Sequence, residues 1–284
     1  MSDLQAKTLA DAGLTETFFR IRRTPIEWPN GARMALTWSV DHEDYTDSAS
    51  IFDIHYHAYG GKAGLWRIQA LFEASEVKLS VFVNGLSAQR FPEGIRALDQ
   101  GGHEVAGHGW ANNVHHDAVS PEVEREMIHR TLATLEDILG KPVLGWLCPG
   151  WRTSRHTLEY LVERGCLWDG DYPIDDLPFV VEIHEKKLVV IPYIRESNDI
   201  QLHWYHRQDP RVWVDTFRAQ FDVLYQEGET EPKMMNADVH TWLYGHPVGV
   251  KAMTEAIRYA RGFPDVWWTT RTEIARWWLA QGYD

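Results

Sequence analysis

The sequence has few cysteines and few basic residues, and each shortage narrows the kind of protein it encodes. Only two of its 284 residues are cysteines, Cys148 and Cys166, so we expect both thiols to stay reduced and to pack in the interior. Lys and Arg number 28 against 41 Asp and Glu, and the formal net charge is -13. Because nucleic acids and anionic membranes attract clustered Lys and Arg, we expect neither as a partner and favour a small-molecule substrate.

Long apolar runs are also lacking. No stretch reaches membrane-spanning length, and the first residues lack the basic-then-apolar order of a secretory signal, so we expect a cytoplasmic protein with no membrane partner. Hydrophobic residues still make up 44% of the chain, enough to bury a large core. We therefore predict one domain over residues 1–284, with an N-terminal extension of about 30 residues.

Strand-like and helix-like segments alternate along the chain. Strand candidates are apolar or β-branched runs, and helix candidates repeat apolar residues at helical spacing. We predict strands at 34–40, 79–83, 103–108, 143–147, 188–191, 234–239 and 266–268, and helices around 65–72, 95–98, 120–140, 154–164, 213–224 and 273–279. Residues 55–61 are polar and rich in Gly and Tyr, and no helix is predicted there. Repeated βα units favour a parallel sheet, either open or closed into a barrel.

Two of the predicted helices carry signals at their ends. Ser120 followed by Pro121 is typical of a helix start, because serine can cap the first turn and proline fits the first helical position. Gly140 is expected to end the same helix and Gly165 the next one, since glycine readily adopts the conformation that closes a helix.

The first predicted strand runs directly into the polar segment Asp41-His42-Glu43-Asp44. Ligands gather at the carboxyl ends of strands in α/β barrels, so a functional site is expected there. The acids repel one another, and the alternative interpretation is a solvated acidic turn. Polar residues follow three further strands as well: His108, the segment 148–152 and His240. Their shared placement favours a site in which carboxylates and imidazoles bind a divalent ion and move protons.

Together these segments resemble the polysaccharide deacetylase superfamily (NodB homology, carbohydrate esterase family 4-like) over roughly residues 34–270. The similarity is greatest to the branch of intracellular peptidoglycan-deacetylase-like proteins and metal-independent allantoinases. In that branch one residue separates the two acids of the first motif, as here with Asp41 and Glu43. The other matching segments, in order, are Gly102–Trp110, Leu147–Trp151, Asp169–Pro178, Glu196–Asp199, Phe221–Gly228 and Val239–His240.

The resemblance implies an α/β fold, an irregular (β/α) barrel with about seven parallel strands. It also implies a hydrolase that cleaves a non-peptide carbon–nitrogen bond. Transferred position by position, Asp41 becomes the catalytic base and His240 the general acid, while Glu43 and His108 become metal ligands. The implied cofactor is a divalent metal, for which we expect Zn²⁺, and the implied assembly is a homo-oligomer, with a tetramer as the expected state.

Two positions depart from the family pattern. Asn112 stands where a second metal histidine is usual, and it offers a weaker, neutral oxygen ligand. His115, His116 and His42 are the alternative ligands, among which the sequence does not choose. Glu43 replaces the more common Asp, and its longer side chain can still reach a metal.

Three further residues are candidates for substrate binding. Trp110 and Trp151 either stack on a sugar or ring substrate or form the wall of the pocket. Arg152 either holds a substrate carboxylate or carbonyl by paired hydrogen bonds or neutralises Asp169 and its neighbours. His103 begins its strand, away from the predicted site, and is expected to be structural.

Three functional hypotheses follow from the residues and the resemblance. The first is a metal-assisted deacetylase or amidohydrolase that acts on a small intracellular N-acyl or cyclic amide compound. The second keeps the fold without the metal, as an allantoinase-like or cyclic imide hydrolase. The third is an inactive barrel that binds a cationic ligand at its acidic edge. The presence of Asp41 and His240 at the family's catalytic positions argues against the third.

Overall fold

A computed structural model describes residues 15–18, 20 and 25–283, so most of the expected N-terminal extension lies outside the described residues. The strands are β1 (Met34–His42), β2 (Leu79–Val83), β3 (Glu104–Gly107), β4 (Gly145–Trp146), β5 (Trp168–Asp169), β6 (Phe179–Ile183), β7 (Lys186–Val190), β8 (Lys233–His240) and β9 (Val266–Thr269).

The helices are α1 (Thr15–Phe18), α2 (Ile51–Tyr59), α3 (Leu65–Ala74), α4 (Gly85–Arg90), α5 (Pro92–Gln100), α6 (Pro121–Leu139), α7 (Thr157–Glu163), α8 (Pro210–Glu227), α9 (Pro247–Ala260) and α10 (Arg271–Gln281). Two π-helical segments lie at Gly60–Gly64 and Ile200–Tyr205. Within the described part of the chain, no helix is long and apolar enough to cross a membrane.

The nine strands of the described residues form one sheet in the order β6-β7-β5-β4-β3-β2-β1-β8, with β9 paired to the first half of β1. Every pairing is parallel except that of β6 with β7. A further parallel bridge between Asn198 and Asp238 brings the segment after β7 against β8. The sheet thus curls into a half-barrel, which confirms the predicted irregular barrel.

Strand β1 lies in the middle of this arrangement and is buried along its whole length. Successive side chains of a strand point to opposite faces. On one face Trp38 packs beneath the helices against the rings of Phe72 and Phe217. On the other face Ser39 accepts a hydrogen bond from the guanidinium of Arg271, inside the barrel. Asp41 is on the same face as Ser39, so β1 delivers its carboxylate to the barrel interior.

Helix α6 begins and ends where the sequence predicts. The Ser120 side chain accepts a hydrogen bond from the backbone of Val123, and Gly140 has a φ of 67° just after the last turn. Gly165, at a φ of 80°, likewise follows α7, although α7 begins only at Thr157. These ends are predictable because the capping residues act locally.

Residues 55–61, to which the sequence analysis assigned no element, are helical in the structure. α2, the first π-helical segment and α3 form a continuous helical rod from Ile51 to Ala74. The glycines of the π-helical segment allow close packing: a Cβ on Gly64 would lie 2.0 Å from the carbonyl oxygen of Thr241. Only glycine allows two backbones to approach so closely.

Six of the described strands and helices have no counterpart among the predicted elements: α1, α2, α4, α9, β5 and β6. β5 is only two residues long, too short for a period to appear in the sequence. The turn between β6 and β7 places His184 and Glu185 at φ values of 49° and 62°. Such turns usually carry Gly, Asn or Asp, so the hairpin lacks its ordinary sequence signal.

Candidate functional site

Asp41 and His240 come together at the carboxyl ends of two neighbouring strands. Asp41 on β1 is in register with His240 on β8. The Nε2 atom of His240 lies 3.3 Å from Oδ2 of Asp41, and both residues are only 4% exposed. A carboxylate and an imidazole in this geometry can hold and exchange a proton.

Asp41 is held from the side by a short hydrogen-bond chain. The Tyr193 hydroxyl donates to Oδ2 of Asp41 at 3.1 Å, and the Asn198 side-chain amide donates to the Tyr193 hydroxyl at 2.8 Å. Among the described residues, the other oxygen of Asp41, Oδ1, is buried without a hydrogen-bond partner. Burial raises the pKa of Asp41, and the nearby His240 partly offsets that effect.

His240 is oriented by Asp199, which precedes the second π-helical segment. Both oxygens of Asp199 accept hydrogen bonds from His240, Oδ1 from Nδ1 at 2.7 Å and Oδ2 from the backbone N–H at 2.9 Å. Burial alone would lower the pKa of His240, but the Glu43 and Asp199 carboxylates outweigh it and raise the pKa to about 10. The Nε2 atom of His240 therefore carries a proton toward Asp41 and Glu43.

Glu43 lies at the centre of the cluster, next to three imidazoles. Its Oε1 atom is 3.4 Å from Nε2 of His108 and 3.7 Å from Nε2 of His240. Its Oε2 atom accepts a hydrogen bond from the Trp242 indole at 3.0 Å and lies 3.6 Å from Nε2 of His57. Burial opposes ionisation of Glu43, yet His240, His108 and His57 together lower its pKa well below the usual range.

His108 presents a defined ring nitrogen to Glu43. Its Nδ1 atom donates to the carbonyl oxygen of Leu147 at 2.8 Å, which leaves Nε2 facing the carboxylate. A backbone acceptor on the far nitrogen is the usual way in which proteins orient a metal-binding histidine. Glu43 and His108, both predicted to be metal ligands, therefore lie side by side, and their role as ligands stays a prediction.

The donor set fits a divalent metal ion. One ligand atom each from Asp41, Glu43 and His240 lie within 4.8 Å of one another, the only such group in the described part of the chain. Carboxylate oxygens and imidazole nitrogens suit zinc and similar ions, and the unpartnered Oδ1 of Asp41 is a free acceptor in the same place. His108 approaches this group through Glu43.

Of the four candidates for a further metal ligand, two lie at the cavity and two do not. Asn112 and His115 line the same cavity as Glu43. His42 faces the other side of β1, where its Nδ1 atom lies 3.1 Å from the Thr241 hydroxyl. His116 is buried with its Nδ1 atom 3.3 Å from Glu124. Neither His42 nor His116 is placed to complete the metal site.

A cavity of about 420 Å³ lies over the acidic cluster. Its inner part consists of buried residues, whereas the outer part carries exposed side chains such as Tyr205, 63% exposed. Trp151 lines the cavity, as predicted for a substrate-contacting or wall residue. Its backbone has a φ of 57°, and its ring lies 5.2 Å from that of Tyr193.

The structure does not bring Trp110 or Arg152 to this cavity. Trp110 lines a separate surface hollow, where the Arg130 guanidinium lies 3.5 Å from its ring centre. Arg152 points to the surface and pairs with Asp117 at 3.0 Å, rather than with Asp169 or with the cavity. Both residues follow strands that reach the site, but their side chains turn away from it.

Sequence reasoning assigned no role to Tyr193, Arg195 or Asp199. Tyr193 and Asp199 contact the two proposed catalytic side chains, and Arg195 lines the cavity. The matching segment Glu196–Asp199 was the available signal, and it includes Asp199. Nothing local in the sequence indicates which side chains of this segment face His240.

Comparisons with known proteins show which family and fold this chain is similar to. The family profile for polysaccharide deacetylase matches residues 46–166. The probable polysaccharide deacetylase from Pseudomonas aeruginosa has a crystal structure with 29% sequence identity and a TM-score of 0.84, and the similarity covers 91% of this chain and 95% of that one. The Puue allantoinase structure has 30% identity and a TM-score of 0.85, covering 91% and 94%.

A relative identified by sequence similarity is also described as a polysaccharide deacetylase. The putative polysaccharide deacetylase of Schizosaccharomyces pombe is 26% identical over an alignment of 306 positions, gaps included, that covers 89% of this chain and 92% of the relative. The similarity therefore extends over nearly the whole of both proteins. This chain belongs to the polysaccharide deacetylase family.

Proposed function

We propose that this protein is a metal-assisted hydrolase that cleaves an amide-type carbon–nitrogen bond in a small molecule. The observation that carries the proposal is the Asp41–His240 pair, with 3.3 Å between carboxylate and imidazole and with a separate partner behind each group. Such a pair supplies a base and an acid next to each other. The cavity of about 420 Å³ suits a compact substrate.

The proton movements follow from these contacts. Asp41 removes a proton from the attacking water, while the Tyr193 hydroxyl holds its carboxylate in position. His240 carries a proton on Nε2 and gives it to the leaving nitrogen, which otherwise departs poorly as an anion. Asp199 keeps the His240 ring in the required orientation and stabilises its charged form.

The proposal gives the metal ion one task, which is to polarise the substrate carbonyl. Glu43, His108 and Asn112 would hold a divalent ion, which we expect to be Zn²⁺, and the bound ion would polarise the carbonyl of the amide. The Asp41, Glu43 and His240 group is the other position for the ion, and there Nε2 of His240 would bind the ion without its proton and could not serve as the acid. The two positions predict different metal contents when His108 or Asp41 is replaced.

A second candidate function is metal-independent opening of a cyclic ureide or imide. Asn112, at the position where the family usually has a metal histidine, favours it, and so does the similarity to the Puue allantoinase. Asp41 and His240 would keep the same proton roles. Metal content and chelator sensitivity separate the two candidates.

The test compares wild-type protein with Asp41→Asn on N-acetylglucosamine, N-acetylglycine, allantoin and succinimide, with metal content measured by elemental analysis. We expect Asp41→Asn to lose turnover by about a hundredfold or more while it keeps its metal. Asp47→Asn is the matched control, because Asp47 is an exposed acid six residues further along that pairs with Arg90.

Each result has a definite meaning. Stoichiometric metal with chelator-sensitive turnover supports the first candidate, and metal-free turnover of allantoin or succinimide supports the second. Loss of metal in Asp41→Asn assigns the ion to the Asp41, Glu43 and His240 group. Full activity in Asp41→Asn contradicts both candidates, and no turnover by the wild type supports the inactive barrel.

A further inference from the structure

Arg195 is the only Lys or Arg among the described residues that line the cavity. The two acids of the lining, Asp41 and Glu43, lie at its buried inner end, whereas Arg195 is exposed. Within the described part of the chain, no carboxylate lies within ion-pair distance of Arg195. The cavity therefore has an acidic inner end and a single permanent cation at its outer end.

The side chain of Arg195 is positioned by stacking rather than by a salt bridge. Its guanidinium carbon lies 4.5 Å from the ring centre of Trp151. The Trp151 ring packs against Tyr193 at 5.2 Å, and the Tyr193 hydroxyl bonds Asp41. A continuous run of side-chain contacts thus connects the cation to the proposed catalytic base.

The backbone that carries Arg195 is tied to β8 on both sides. Ile194 donates its backbone N–H to the Asn236 side chain at 3.0 Å, and the Ser197 hydroxyl donates to the Asn236 carbonyl at 2.7 Å. The Arg195 carbonyl accepts from the backbone of Asn198 at 3.1 Å, which closes the turn before Asp199. The same rigid turn therefore places both Arg195 and the partner of His240.

Stacking on an indole covers one face of a guanidinium and leaves the N–H groups at its edge free. Those N–H groups form a planar fork that matches the two oxygens of a carboxylate. We infer that the substrate is an amide that carries a carboxylate away from its scissile bond, and that Arg195 binds this carboxylate. The inference rests on the proposed function, because the scissile amide occupies the Asp41–His240 end.

The test uses two matched pairs of compounds, N-acetylglycine with N-acetylglycinamide and hydantoin-5-acetate with hydantoin-5-acetamide. Within each pair a neutral primary amide of nearly the same size replaces the remote carboxylate, so product analysis must follow the N-acetyl or ring bond and not the added amide. We expect wild type to prefer the carboxylate by about tenfold or more in kcat/KM, mainly through KM. Arg195→Gln should remove the preference. Arg130→Gln should retain it, because Arg130 stacks on Trp110 outside the cavity.

A binding measurement makes the result independent of turnover. Calorimetric titration of the same four compounds into Asp41→Asn, and into the Asp41→Asn, Arg195→Gln double variant, reports the carboxylate preference without hydrolysis. A preference that disappears with Arg195 supports the inference even if the wild type hydrolyses none of the compounds, in which case only the proposed function fails. Equal affinity within both pairs, a preference that survives Arg195→Gln, or no binding of any compound overturns the inference.

Discussion

Three carboxylates surround the imidazole of His240, and each has a different relation to it. Asp199 accepts from Nδ1, while Asp41 and Glu43 face Nε2 at 3.3 and 3.7 Å. The charge of His240 therefore depends on all three, but only Asp199 fixes the ring orientation. Asp199 therefore orients the proposed acid through Nδ1, whereas Asp41 and Glu43 face the Nε2 proton that the acid transfers.

At this residue scale we predict that Asp199→Asn lowers kcat by about a hundredfold or more. Loss of the Asp199 charge lowers the pKa of His240 from its raised value of about 10. Because His240 must be protonated to act as the acid, the alkaline fall in kcat should move to lower pH. A pH–rate profile of both proteins measures the shift.

The control for this change is Asp209→Asn, since Asp209 is an exposed acid that caps α8 and pairs with Arg211. It should leave the pH–rate profile of the wild type unchanged. An alkaline limb at the same pH in Asp199→Asn and wild type would contradict the role assigned to Asp199.

At the scale of elements, the rod formed by α2, the π-helical segment and α3 supports the loop that follows β8. Gly64 and Gly245 meet there with the carbonyl of Thr241, and a Cβ on Gly245 would lie 2.1 Å from that oxygen. Thr241 directly follows His240 in the chain. The packing of this rod therefore sets the position of the backbone next to the proposed acid.

We predict that Gly64→Ala lowers both stability and activity. Its new methyl group would lie 2.0 Å from the Thr241 carbonyl oxygen, so the rod or the loop must move. Overpacking of this kind costs about 1–3 kcal/mol of unfolding free energy, and kcat should fall because His240 shifts with the loop. Urea unfolding and steady-state kinetics measure the two effects.

Lys62→Ala provides the matched control, because Lys62 lies exposed in the same π-helical segment. It should change neither the unfolding free energy nor kcat appreciably. If Gly64→Ala proves as stable and active as Lys62→Ala, the close approach at Thr241 has no role in positioning His240.

At the scale of the whole molecule, Arg271 connects separate parts of the barrel from its centre. Its guanidinium is fully buried, donates to the Ser39 hydroxyl on β1 and to the carbonyl of Ile191 after β7, and lies 4.0 Å from Asp238 on β8. Burial raises the pKa of Asp238 to about 8, and Arg271 opposes that rise. The centre of the barrel is thus polar and depends on one arginine.

We predict that Arg271→Met lowers the unfolding free energy by about 3–5 kcal/mol at pH 8, because a buried carboxyl group loses its cationic partner. The pKa of Asp238 in the folded protein should rise further, so the loss should be smaller at pH 6 and larger at pH 9. Urea unfolding at these three pH values tests the prediction.

Arg276→Met is the comparison variant, since Arg276 is exposed on the same helix, α10. It should leave stability nearly unchanged at every pH. A loss in Arg271→Met that does not depend on pH would show that Asp238 is not the group that responds to Arg271.

Two properties of the whole protein stay predictions. The family branch implies a homo-oligomer, with a tetramer as the expected state, and the sequence favours a cytoplasmic location. Light scattering after gel filtration would report the first as a multiple of the 32.9 kDa chain mass. Four copies per particle is the expected result.

Much of the site was predictable from the sequence because the carboxyl ends of parallel strands meet at one edge of a sheet. That rule placed Asp41, Glu43, His108 and His240 together before any contact was known. The ends of α6 were predictable for a different reason, since Ser120 and Gly140 act on their own turns. Local pattern and strand polarity therefore indicated a parallel α/β sheet and the four residues at its carboxyl edge, whereas the irregular barrel was implied by the family resemblance.

Only the tertiary structure decided which other side chains lie at the candidate site. Tyr193, Arg195 and Asp199 reach the site through contacts with β8 and Trp151, which lie tens of residues away in the sequence. Trp110 and Arg152 stand next to site strands, but they turn to Arg130 and Asp117 instead. Sequence periodicity specifies the face of an element, whereas a contact between distant segments depends on how the elements pack.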